Sequence, residues 1–152
     1  MNLLNIYINR LVINKFNKFY DISLSWVSTL GLSSLNIKAK KYRKHILEAL
    51  SDTHMSKILE STSMSEKSAV EIIQEYNIPH SSVYRKINQL LRFGLLCLYK
   101  SEIHEGKKIS FYKSTFRSIQ INYVGSSEYT IDAVSNDDVL ERISQHFYEI
   151  DS

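Results

Sequence analysis

Pro79 and Gly94 are the two residues that most constrain this chain, because apart from Pro79 neither glycine nor proline occurs between Gly31 and Gly94. That punctuation leaves a long stretch free to be helical and fixes where one helix begins and ends. Proline lacks an N–H and holds its predecessor extended, so Pro79 breaks the chain at Asn77-Ile78 and opens a helix beside itself. Glycine adopts the left-handed conformation that closes a helix, so Gly94 ends it. Between them, His80–Phe93 carries Val83, Ile87, Leu90 and Leu91 at helical spacing. The opposite face then shows Ser81, Ser82, Tyr84, Arg85, Asn88 and Gln89. Such a helix is about 21 Å long at 1.5 Å per residue, enough to cross a DNA groove.

The flanking text supplies a scaffold for it. Ala39–Leu50 reads as a helix, with Tyr42, Ile46, Leu47 and Leu50 inward and Lys40, Lys41, Arg43 and Lys44 outward. Ser51 or Asp52 caps a second helix that buries Met55, Ile58 and Leu59, and Ser65 or Ser68 opens a third that runs to Tyr76. Past Gly94 the period becomes strand-like. Leu95–Ile103 and Ile109–Thr115 read as a hairpin around His104-Glu-Gly-Lys-Lys108, and Ser118–Val124 with Tyr129–Val134 as a second pair. Ser135 or Asn136 caps a closing helix with Asp137 and Asp138 in its first turn and an apolar stripe at Val139, Leu140, Ile143, Phe147 and Ile150.

Residues 1–37 follow no clean period and read as a floppy or loosely helical extension. Their most apolar stretch, Ile22–Leu35, is interrupted by five serines and a threonine, so neither a membrane span nor export is expected. The expected organisation is an extension over 1–37, a winged domain over 38–117, and a β pair with a C-terminal helix over 118–152, whose stripe at Val139, Ile143 and Phe147 either packs on its own domain or forms a dimer seam with the Tyr42–Leu50 helix.

Composition excludes several chemistries. With 152 residues, 43% apolar and 23% charged, the chain can bury a core. Its four glycines are too scattered for a phosphate-cradling loop. Cys97 is the only cysteine, which rules out an internal disulfide and a cysteine zinc knuckle and suits a reducing compartment. The five histidines show no paired ligand spacing, so no metal or other cofactor is expected. No nucleophile–base pair or acidic dyad stands out, so an enzyme is not expected.

Charge is unevenly spread. Residues 38–117 hold fifteen basic and eight acidic side chains, a net of +7, whereas residues 118–152 hold one basic and seven acidic, a net of −6. A basic middle beside an acidic end suits a polyanion-binding module followed by a segment that stays off the polyanion. Solvated helix faces are the plainer reading of the same charges.

The residues Ala49-Leu-Ser-Asp-Thr-His-Met-Ser-Lys-Ile-Leu59, Glu66-Lys-Ser-Ala-Val-Glu-Ile72, Ile78-Pro-His-Ser-Ser-Val-Tyr-Arg-Lys-Ile87 and Phe93-Gly-Leu-Leu96 together resemble the ArsR-type winged helix-turn-helix family. Gly106-Lys-Lys-Ile-Ser-Phe-Tyr-Lys-Ser-Thr115 is similar to the wing of its archaeal members. The resemblance covers about residues 40–123. It implies an α+β, mainly helical fold: a winged helix-turn-helix with a two-stranded wing, an additional C-terminal β pair and a C-terminal helix. It also implies a cytoplasmic, homodimeric transcription regulator on a pseudo-palindromic double-stranded DNA site. Ser81, Ser82, Tyr84, Arg85 and Asn88 fall on the family's recognition-helix face, and Lys107 and Lys108 on its wing; Gln89 joins them by helical position. The family's Cys-x-Cys metal signature is absent, and Ile73 and Asn77 stand where many members carry Ala and Gly. The effector is left open. The alternative is a winged-helix protein-interaction module of the transcription machinery, since this fold serves both uses.

Overall fold

The computed structural model describes residues 22–23, 34–123, 125, 127–136 and 138–139. It is α+β. In chain order the elements are strands β1 (Ile22–Ser23) and β2 (Ser34–Ile37), helices α1 (Lys40–Ser51) and α2 (Thr53–Ser61), strand β3 (Lys67–Ser68), helices α3 (Ala69–Tyr76) and α4 (His80–Phe93), and strands β4 (Leu96–His104), β5 (Lys107–Ser114), β6 (Phe116–Tyr123) and β7 (Tyr129–Ser135). They divide into two compact units, Lys44–Arg117 and the described residues on either side of it.

The Lys44–Arg117 unit is a winged helix-turn-helix. Its buried side chains include Ile46, Ala49, Met55, Ile58, Ile72, Ile78, Val83, Ile87, Leu90 and Leu95. Leu47 and Leu91, expected inside, are half-buried, and Leu50 is exposed; Ala49 takes the inward position that Leu50 was expected to hold. Each helix starts on a residue suited to it. Asp52 accepts from the backbone N–H groups of His54 and Met55 and caps α2. Ser68 and Glu71 form a reciprocal capping box at α3, and Asn77 closes that helix at φ 51°.

The wing is more regular than its sequence suggests. β4 and β5 pair antiparallel from Leu96↔Ser114 to His104↔Lys107, with an irregularity between Leu98 and Lys100. The expected five-residue loop over residues 104–108 is a two-residue turn, Glu105-Gly106, with φ 49° and 74°. Positive φ at both positions is the condition for a type I′ turn, whose twist matches the strands, so His104, Lys107 and Lys108 lie in the ladder. β3 adds a third strand to this sheet, pairing Lys67↔Tyr112 and Ser68↔Phe111.

The other unit holds a four-stranded sheet in the order β1-β2-β7-β6. The expected C-terminal β pair is therefore half of a larger sheet. Its other half comes from within residues 1–37, read as a floppy or loosely helical extension: Ser34–Ile37 pairs with β7 through Ser34↔Val134, Leu35↔Ala133 and Asn36↔Asp132. One face is apolar, with Ile37, Ile131 and Ala133 buried. On the other face the Asn36 amide donates to Asp132 at 2.8 Å, and Asn122 donates to the same carboxylate at 3.4 Å. The Arg43 guanidinium lies 4.1 Å above the Tyr129 ring and donates to the Tyr129 carbonyl. Asp138 and Val139 have helical backbone. The rest of the expected C-terminal helix, with Leu140, Ile143, Phe147 and Ile150, lies outside the described residues.

Candidate nucleic-acid interface

Helix α4 has the boundaries its punctuation demands. The Pro79 carbonyl accepts from the N–H groups of Ser82 and Val83 at 3.0 and 3.1 Å. At the far end Gly94 is left-handed (φ 73°), with Leu95 N–H donating to Leu90 O and Gly94 N–H to Leu91 O, the paired bonds of a Schellman stop. Thr115 ties this stop to the end of the wing: its hydroxyl donates to Gly94 O at 2.8 Å and its N–H to Leu95 O at 3.0 Å. The helix and the hairpin are thus joined by backbone as well as by packing.

The inner face of α4 is sealed, with Val83, Ile87 and Leu90 essentially without solvent exposure. Of the outer residues singled out by sequence, Ser81, Tyr84, Arg85 and Asn88 are exposed. Ser82 and Gln89 are half-buried and engaged. The Ser82 hydroxyl lies 2.8 Å from His54 Nδ1, and the Gln89 amide donates to Glu48 at 3.2 Å. Lys86 pairs with the Asp52 carboxylate. These three bonds tie α4 to α1 and α2 along one flank. They separate residues that hold the helix in place from residues open to a ligand.

The electrostatics favour an anion. No carboxylate occurs in α4, which carries Arg85, Lys86 and Arg92. The Asp52 carboxyl beside it feels burial, which pushes its pKa up. Bonds from Lys86 and from the Met55 and His54 N–H groups outweigh that and hold it below the usual value. On the hairpin, Lys107 and Lys108 are exposed. Two nearby carboxylates share one cation: Lys100 lies 2.9 Å from Glu102 and 3.3 Å from Glu66, with its ammonium 4.8 Å from the Phe111 ring centre. Glu66 is held below its usual pKa first by its own backbone N–H and then, against burial, by Lys100.

Exposed residues near this surface that the sequence reading did not single out include His80, Leu98 and Ile103. His80 opens α4 on its exposed side, a position that its place directly after Pro79 signals. Ile103 near the wing tip is 80% exposed, and nothing in a strand-like apolar run distinguishes an outward isoleucine from an inward one. Among the described residues there is no cluster of three or more metal-ligating side chains, and no helix is long and apolar enough to cross a membrane.

No family model matches the chain, and no curated protein does. Among solved structures it is similar to HlyU from Vibrio cholerae N16961, at 19% sequence identity and a TM-score of 0.42, over 51% of this chain and 78% of that one.

Proposed function

We propose that this protein is a sequence-specific, double-stranded-DNA-binding transcription regulator that acts as a homodimer in the cytoplasm. In this reading α4 enters the major groove and residues 104–108 of the wing lie on the sugar–phosphate backbone. The observation that carries it is the outer face of α4: Ser81, Tyr84, Arg85 and Asn88 stand exposed on a carboxylate-free helix whose inner face is sealed. Arg can read guanine through two hydrogen bonds, Asn can read adenine, and a hydroxyl serves either base or phosphate. Lys107 and Lys108 add charge that attracts any duplex. The ArsR-type resemblance of residues 40–123 points the same way, without the cysteine pair of the metal sensors.

A second reading has one observation in its favour. Leu98 and Ile103 are 53% and 80% exposed on the hairpin, and an apolar wing suits a protein partner better than a phosphate backbone. Titration of labelled duplexes separates the two. For the regulator, Arg85→Ala costs about 1–3 kcal/mol on the preferred site and blurs sequence preference. Lys107→Ala with Lys108→Ala weakens all duplexes alike and flattens the slope of log K against log salt by about 2, at about 0.9 per phosphate. Duplex binding indifferent to both variants and to salt contradicts the regulator and leaves the docking module.

A further inference from the structure

The outer edge of β6 is built unlike a protected edge. Among the described residues β6 ends the sheet order β1-β2-β7-β6, so its far side carries no strand. Sheet edges are ordinarily blunted by charge, proline, a bulge or shortness, because unpaired N–H and C=O groups template another strand. β6 is eight residues long, and Ser118-Ile-Gln-Ile-Asn-Tyr123 contains no charge, no proline and no glycine. Ile121 and Tyr123 are 39% and 71% exposed, and Arg117 at the start of the strand is exposed as well.

We propose that this edge is a homodimer interface, in which β6 pairs antiparallel with β6 of a second copy about a two-fold axis at Gln120. The strand's own sequence selects that occupant. Residues directly opposite in an antiparallel pair share a face, and centring on Gln120 keeps the odd-numbered and even-numbered faces matched. Arg117 then faces Tyr123 of the partner at both ends, placing a guanidinium beside an aromatic ring. Ile119 faces Ile121, Ser118 faces Asn122, and Gln120 faces itself. No like charges meet, and seven of the strand's eight residues are paired. The symmetry closes at two copies, because each chain offers one such edge and β1 at the opposite edge has two residues. This inference rests on the homodimer part of the reading above and not on DNA binding.

The test uses the full chain with Cys97→Ser as background and an added thiol oxidant. Gln120→Cys places two sulfurs on residues whose Cα atoms are about 4.5–5.5 Å apart, within disulfide reach. Ser118→Cys places them about 13 Å apart, out of reach. The expected result is a reducible covalent dimer from Gln120→Cys and none from Ser118→Cys. Light scattering of the unmodified protein gives twice the monomer mass, which Ile121→Lys halves. A dimer that Gln120→Cys does not cross-link, or that Ser118→Cys cross-links equally, overturns this interface while the homodimer stands. A monomeric wild type overturns both. Should Ile121→Lys fail to fold, the two cysteine variants decide alone. Salt-dependent duplex binding by the wild type reports on the DNA reading separately.

Discussion

Asp52 caps α2 and at the same time pairs with Lys86 on α4, so one carboxylate fixes both the start of a helix and the seat of its neighbour. Its pKa is lowered in the folded chain, as are those of Glu66 and Glu75; Glu75 is bonded to Lys67 and then to Ser61. A carboxyl with a depressed folded-state pKa contributes stability above its unfolded value, about 4, and loses it as pH falls through the folded value. Thermal midpoints are therefore expected to stay level from about pH 8 to about pH 5 and to fall in stronger acid. Asp52→Asn should make that acid loss shallower. A midpoint that declines on the alkaline side of pH 5 instead would contradict this account of the carboxylates. At this scale the sequence was partly informative. The exposure of Ser81, Tyr84, Arg85 and Asn88 follows from helical period. The engagement of Ser82 and Gln89 does not, because His54 and Glu48 lie 28 and 41 positions away and only the fold brings them near.

Two turns set the direction of the elements that carry the candidate interface. Gly94 holds φ 73° where α4 passes into β4. An L-residue pays about 1–2 kcal/mol there, so Gly94→Ala should lower stability by that amount in urea unfolding. A neutral result would mean that the stop is not strained by a side chain. Glu105 occupies a left-handed position at the wing tip beside Gly106. Asn tolerates that conformation better, and Asn-Gly is the preferred pair for such a turn. Glu105→Asn should stabilise the chain by up to about 1 kcal/mol. It should also tighten duplex binding by removing a carboxylate beside Lys107 and Lys108. Unchanged or weaker binding to every duplex would place the wing tip away from phosphates. The boundaries of α4 were legible because proline and glycine act locally. The two-residue wing turn was not, because glutamate at a positive φ leaves no signature in the sequence. β2 was not legible either, since four residues carry too little period and their partner strand lies 96 positions on.

Across the whole molecule, charge is sorted along the chain, net +7 over residues 38–117 and −6 over residues 118–152. By charge alone, a polyanion is attracted to the first segment and repelled by the second. The α+β class and the winged arrangement could be read from helix punctuation followed by strand alternation. The return of residues before α1 into a sheet with β7 could not, because that pairing is fixed by contacts rather than by local preference. The measurement that bears most directly on the central claim is selection of random-sequence duplexes by the full chain at near-physiological salt. The regulator predicts recovery of a two-fold symmetric motif with half-sites centred about 34 Å apart. Recovery of no enriched sequence, with only weak salt-sensitive binding, would contradict it and turn the search toward a protein partner for the wing.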